Sequence, residues 1–326
     1  MFKKTFLFVT TILAATSAST GYGSPDSLKG SVSADIFLDW FNNAEKCVHI
    51  KGLIILNLIP SIFLIIQSVL FLKDQKKLKG IFTVFAVFAN LIGVFIIINY
   101  AYPIASQIEG WAPDKLPSNW ISLKDEWFKY IEIYGLLGML GWLCFVITYF
   151  VPSSKHVAVK KLPRFLNFSK NALLFFLTFV MGLSAARLYD FCFFTFTYEI
   201  SGTTFIEMHR PLDLVIRKVA PIVFTFLFSL YILLTILFFS EKNKNKGLLI
   251  ILATIFLVCD TFIALEYNGP INDLFNSWTS TTIPINWASI RDKWLNYHLY
   301  RDVLMIFGFS SIILTYFVQK NEIAKK

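Results

Sequence analysis

The sequence predicts an all-α, polytopic membrane protein built from two tandem four-helix transmembrane units, about eight helices in all. Three observations predict it: composition, the spacing of apolar runs, and a long match of the chain to itself. Of 326 residues, 56% are hydrophobic and only 16% charged, with a mean hydropathy of +0.62. An ordinary soluble domain carries about 25% charged residues. A water-soluble globule of this length would have to hide more apolar surface than its core can hold. That excludes a soluble enzyme, a disordered chain and a disulfide scaffold, and the 35 Phe suit helices that face lipid.

Crossing the hydrocarbon core takes about 20 apolar residues in a helix. In chain order, the runs that meet this are 52–72, 80–101, 133–152, 172–193, 219–239, 247–267 and 300–319. A shorter run at 5–20 has two readings. Lys3-Lys4, an apolar stretch and the small residues Ala14 to Ala18 resemble a cleavable signal peptide; the internal repeat favours a retained first helix. The short segments between spans, with both termini, hold 17 Lys and Arg against three acids, Asp74, Glu241 and Glu322. The rest of the chain holds 13 basic and 18 acidic residues. Basic residues mark cytoplasmic loops, so both termini are expected inside and the long loops 21–51, 102–132, 194–218 and 268–299 outside. The net charge of +9 is accounted for by those loops and needs no nucleic acid partner. The composition resembles that of an ordinary bacterial inner-membrane protein. None of the four Cys (47, 144, 192, 259) forms a CxxC pair, and their spacing leaves a Cys47–Cys192 bridge open.

Segment 79–151 aligns with 246–318 without a gap, at an offset of 167, with 22 identities in 73 positions. Pro117, Asn119, Trp120, Ser122, Asp125 and Trp127 reappear as Pro284, Asn286, Trp287, Ser289, Asp292 and Trp294, and Thr148 to Val151 as Thr315 to Val318. Carried upstream, the offset lays Lys3 to Tyr22 on Lys170 to Tyr189. The expected organisation is a first four-helix unit at 1–152, a cytoplasmic linker at 153–171 and a second unit at 172–320. Four helices is an even number, so the copies are parallel repeats. Residues shared by both copies are expected to be scaffold. Ser122-x-x-Asp125 and Ser289-x-x-Asp292 have capping-box form, and the four Trp suit an outer interface with the indole N–H in water.

The second copy is polar where the first is not. Asn268, Asn272, Arg291, His298, Arg301 and Asp302 stand opposite Ala101, Ala105, Lys124, Ile131, Tyr134 and Gly135, and Asp260 and Glu266 opposite Gly93 and Asn99. On one helix over 287–319, Arg291, Trp294, His298 and Arg301 share a face, within about 15 Å along the axis. An ionisable group at membrane depth costs about 2.5–3.5 kcal/mol, so Arg301 should face the bundle interior and meet an acid such as Glu266, Asp190 or Asp273. Each residue also has a plainer reading. His298 suits an interface, Arg291 a lipid headgroup, and Asn272 a turn after Pro270. Glu207-Met-His209 lacks the spacing of a metal site, and the sequence has no phosphate loop or GxSxG element.

The run Asn268-Gly-Pro270-Ile-Asn272 with Trp278, followed by Trp287, Arg291, Trp294, His298 and Arg301, resembles the signature of anthrone-oxygenase-like membrane proteins. Most of that family is known only as a domain of unknown function. Its four-helix membrane unit is similar in length and order to 170–320. The first copy departs from the pattern, with Lys124, Ile131 and Tyr134 at the Arg, His and Arg places. The resemblance implies oxidation of an anthrone-like polyphenol by O2 with no cofactor and no metal. It implies His298 as base, Arg291 and Arg301 as oxyanion stabilisers, Trp294 and Trp287 as stacking surfaces, and Asn268 and Asn272 as substrate-orienting amides. The expected partners are the lipid bilayer and a small hydrophobic or aromatic molecule. A carrier of a hydrophobic molecule or lipid, and a structural or assembly subunit, are the other two classes the sequence leaves open.

Overall fold

The computed structural model describes residues 2–19, 32–47, 50–151, 164–185 and 199–318, and among these every regular element is helical. The order is α1 (Phe2–Ser19), α2 (Ala34–Cys47), α3 (Ile50–Lys73), α4 (Lys77–Ile96), α5 (Tyr102–Ile108), α6 (Trp120–Phe150), α7 (Arg164–Ala185), α8 (Gly202–Ser240), α9 (Lys244–Ile263), α10 (Gly269–Ser277) and α11 (Trp287–Leu314). Cys192 and Asp190, and with them the possible Cys47–Cys192 bridge, lie outside the described residues.

Among the described residues, four helical stretches are long and apolar enough to cross a membrane: Lys77–Ile108, Trp120–Phe150, Gly202–Ser240 and Lys244–Ser277. Asn57–Lys73 and Lys170–Ala185 are apolar but shorter. α11 has 28 residues, but Arg291, Asp292, Lys293, Arg301 and Asp302 dilute its apolar run. The 39 residues of α8 span about 58 Å at 1.5 Å per residue, nearly twice the roughly 30 Å hydrocarbon core. It is therefore longer than a single crossing needs, and its first turns carry much of the site described below.

α4 and α9 each end in a π-helical turn, Ile97–Ala101 and Ala264–Asn268, followed by Pro103 and Pro270 near the start of the next helix. Proline has no N–H to offer the preceding turn. The chain widens instead: the Tyr102 N–H reaches back five residues to Ile97 O, and the Gly269 N–H to Ala264 O. Such turns re-aim the residues that follow them.

Two apolar clusters hold the molecule together. One lies at the level of the long apolar helices and joins α1, α3, α4, α6, α7, α8, α9 and α11 through residues such as Trp142, Phe145, Leu177, Met181, Tyr231 and Phe309. The other is aromatic and caps one end, joining α2, α5, α10 and the first turns of α6, α8 and α11 through Phe37, Phe41, Trp127, Phe205, Phe275 and Trp294. Contacts recur at the offset of 167. Thr11 bonds the Tyr149 hydroxyl, and Thr178 bonds that of Tyr316 at 2.6 Å. Lys3 pairs with Asp74, and Lys170 with Glu241 at 2.5 Å. Corresponding residues also touch each other: the Tyr149 and Tyr316 rings lie 4.3 Å apart, and Trp142 packs on Phe309 at 5.9 Å.

Two local expectations are corrected. The capping boxes do not form. α6 and α11 begin after Asn119 and Asn286, with no side-chain cap, and Asp125 and Asp292 pair instead with the preceding cations Lys124 and Arg291. Trp127 and Trp294 do not sit with wet indoles at an interface. Both are buried in the aromatic cap, because α2 and the start of α8 cover them.

Candidate functional site

On α8, Phe205, His209, Asp213 and Arg217 recur every four residues and so form one stripe. Asn268, at the end of the π turn, and Asn272 and Asn276 on α10 form a second stripe at the same spacing. Trp294 of α11 closes the third side. The stripes meet at Asn272. Its Oδ1 accepts the Trp294 indole N–H at 2.7 Å and faces His209 Nε2 at 3.2 Å, while its Nδ2 donates to Asp213 Oδ1 at 3.0 Å. Asn276 Nδ2 donates to Asp213 Oδ2 at 2.6 Å, as does Arg217 Nε at 2.5 Å. Arg217 also meets Asp273 at 2.7 Å on the exposed side. The carboxylate of Asp213 is buried and satisfied by three donors, as a buried charge requires.

The amide orientation of Asn272 follows from its neighbours. An indole N–H can only donate and a carboxylate can only accept, so the oxygen faces Trp294 and the nitrogen faces Asp213. His209 Nε2 therefore carries its hydrogen and gives it to Asn272. The imidazole is wedged between Phe205 (5.7 Å), Phe275 (5.0 Å) and Trp294 (5.3 Å). Its Nδ1 is buried and has no hydrogen-bond partner among the described residues.

The expected site residues divide into three groups. His298, half-buried, lies edge-on to Trp294 with ring centroids 4.2 Å apart. Asn268 is buried below and donates to the Trp294 carbonyl at 3.2 Å. Trp294, His298, Asn268 and Asn272 are thus one constellation, to which the structure adds His209. Arg291 belongs to a second group: it lies over the Trp287 ring at 4.7 Å and binds Asp292 Oδ1 through Nε (3.0 Å) and Nη2 (2.8 Å). Lys124 does the same in the first half, over Trp120 at 5.6 Å and 3.5 Å from Asp125. Arg301 forms a third group. It bonds Asp260 Oδ1 at 2.9 Å, both side chains being buried. Asp260, one helix away on α9, is its acid, rather than Glu266, Asp190 or Asp273. In the first half Gly93 and Tyr134 occupy these places, and a Cβ on Gly93 would lie 3.0 Å from the Tyr134 ring. An ion pair on one side replaces a tyrosine packed on a glycine on the other.

His209, Asp213, Asn276 and Arg217 were not expected in the site. The signal was present as polar residues four apart at the start of a long apolar helix. An ungapped offset of 167 lays His209 on Asn42 and hides the replacement. Ring contacts give the true counterpart as Phe41, which packs on Trp127 at 5.3 Å while Phe37 packs near Trp120 at 6.4 Å. Phe205 lies 6.1 Å from Trp287. The outer segment is therefore shifted by one residue. With Phe41 and the buried Ala105 in the first half, the Trp127 indole N–H has no partner among the described residues.

Among the described residues, no group of three or more His, Cys, Asp or Glu side chains is placed to hold a metal ion. No family model, no curated protein and no solved structure matches this chain. Among the described residues every regular element is helical and four helices are fit to cross a membrane, which is compatible with an integral membrane protein.

Proposed function

We propose that the chain is an integral membrane protein of two tandem four-helix units, with both termini cytoplasmic. The polar cluster of the second unit, at its extracytoplasmic end, takes up a small aromatic polyphenol and oxidises it with O2. One observation carries this reading. The second unit replaces Phe41, Ala101, Ala105 and Ile131 by His209, Asn268, Asn272 and His298, and the new polar groups all gather on Trp294. Buried polar groups are costly unless satisfied, and the first unit builds the same cap without them.

The resemblance to anthrone oxygenases supplies the chemistry. In an anthrone the ring CH2 is acidified by the adjacent aromatic rings and the ring ketone. Neutral His298, half-buried on Trp294, takes a proton from that carbon. The resulting anion is electron-rich enough to reduce O2 itself, which dispenses with a cofactor. Net, CH2 and O2 give C=O and H2O. Trp294 and Trp287 offer flat surfaces to the rings. The resemblance assigns Arg291 and Arg301 to the oxyanion, and a substrate would have to reach them from the Trp294 cluster, since each is seated on its own carboxylate, Asp292 and Asp260. The test is oxygen uptake by the purified protein with 1,3,8-trihydroxyanthrone, corrected for spontaneous oxidation. The expected result is one O2 consumed per anthrone and a loss of about 100-fold in rate for His298→Ala. An undiminished rate in that variant refutes the assignment.

A non-catalytic binder of the same molecule is the second reading. The carboxylate on each arginine favours it, since Asp292 and Asp260 already offset the charge an oxyanion would need. Saturable binding without oxygen uptake would identify it.

A further inference from the structure

We propose that the second unit's site recognises its ligand through O–H or N–H groups that the ligand donates, because the polar residues gathered around Asn272 spend their own donors on the protein and hold acceptors in reserve. This rests on the reading above and specifies the ligand's chemistry. Within this cluster, three buried acceptor atoms have no hydrogen-bond partner among the described residues: His209 Nδ1, Asn268 Oδ1 and Asn276 Oδ1. In each residue the opposite atom is committed. His209 Nε2 is turned to Asn272, Asn268 Nδ2 to the Trp294 carbonyl, and Asn276 Nδ2 to Asp213. These are not scattered atoms. Asn268 and Asn276 flank Asn272 on one stripe, and His209 bonds Asn272 from the facing helix.

A buried acceptor without a donor destabilises the fold that holds it. The aromatic cap does not need these atoms, since Phe41 fills the place of His209 in the first half, and Ala101, buried, fills that of Asn268. The lone pairs are therefore explained by a donor that arrives from outside the chain. Nδ1 is fixed as an acceptor by the tautomer: Asn272 Oδ1, pinned by Trp294 and Asp213, requires the hydrogen on Nε2. A polyphenol with a hydroxyl not tied up within its own rings meets this demand. A fully alkylated or purely hydrocarbon ring does not.

The experiment compares 1,3,8-trihydroxyanthrone with its 3-methoxy analogue by titration calorimetry in lipid nanodiscs under nitrogen. The 1- and 8-hydroxyls are turned inward to the ring ketone, so only the 3-hydroxyl donates outward, and the analogue removes it. The expected result is at least roughly tenfold tighter binding of the trihydroxy compound, with that preference lost in His209→Phe and His209→Gln. The first carries the residue of the first unit; the second keeps an N–H for Asn272 but lacks Nδ1. Thermal melts report whether each variant is folded, and the ¹⁵N shift of His209 Nδ1 on adding ligand reads the contact in wild type without any substitution. Equal binding of the two compounds, or a preference that persists in both folded variants, overturns the inference while leaving an aromatic site standing; ordered water on the three acceptors gives that outcome. Binding of neither compound overturns the functional reading and this inference with it.

Discussion

Exchanging Asp260 and Arg301 for the residues that occupy their places in the first unit, Gly and Tyr, tests whether this pair is interchangeable scaffold. The Asp260 side chain is 1% exposed and that of Arg301 10%, joined at 2.9 Å. Arg301→Tyr alone leaves a buried carboxylate without its cation, and Asp260→Gly alone leaves a buried guanidinium without its anion. Insertion scales put an uncompensated charge at membrane depth at about 2.5–3.5 kcal/mol. Breaking buried pairs in soluble proteins costs about 3–5 kcal/mol. Each single variant is therefore expected to lose about 3 kcal/mol, a factor on the order of 100 in the unfolding equilibrium. The double variant restores the arrangement that Gly93 and Tyr134 already adopt, where the absent Cβ makes room for the ring. It is expected to recover most of the loss, since replacing a buried ion pair by well-packed neutral groups is often neutral or better. Unfolding in mixed micelles, followed by circular dichroism, gives the three values. Recovery of less than about 1 kcal/mol, with the single losses simply adding, would refute the structural equivalence of the two pairs.

Other substitutions probe separate parts of the account. Asn272→Ala removes the acceptor of the Trp294 indole and one donor to Asp213; it should cost about 1–3 kcal/mol and shift the tryptophan emission. Arg291→Lys should leave stability within about 1 kcal/mol of wild type, because Lys124 makes the same Trp and Asp contacts in the first unit; a larger loss in a urea titration would mean that the guanidinium is needed. Gly182→Ala should destabilise by about 1–3 kcal/mol in the same titration, since a Cβ there would overlap the buried Trp142 ring. Lys3 and Lys170 make corresponding ion pairs with unequal exposure, 58% and 26% for Lys3–Asp74 against 13% and 12% for Lys170–Glu241. Lys170→Met should therefore lower the melting temperature more than Lys3→Met does. Lys3 holds the Asp74 carboxyl below the usual carboxylate range. That link acts above about pH 4 and fades as the pH falls further, so the difference between Lys3→Met and wild type should vanish in strong acid.

Much of this was legible in the sequence because two of its signals are periodic. Apolar runs of spanning length marked the long helices, and the match at 167 paired Thr11 with Thr178 and Tyr149 with Tyr316, whose contacts recur in the structure. Placing Trp294, His298, Asn268 and Asn272 together was possible because all lie within the aligned stretch 246–318. Partners brought from outside that stretch were harder to see. His209 lies in a segment shifted by one residue, so the offset of 167 does not reveal Phe41 as its counterpart. Asp260 was noted as an anomaly but not as the partner of Arg301, since helix pairing is decided by packing and not by spacing along one helix. Arg291 seemed specific to the second unit by residue type. Its contacts match those of Lys124, which only geometry could show.

The central claim is that the polar groups gathered on Trp294 are retained for a small molecule. Native mass spectrometry of the full chain released from native membranes, beside a variant carrying His209→Phe, Asn268→Ala, Asn272→Ala and His298→Ile, reads this directly. The account predicts a single non-lipid adduct of aromatic mass on wild type that is missing from the folded variant. Identical spectra, with lipid as the sole adduct of both, would contradict it.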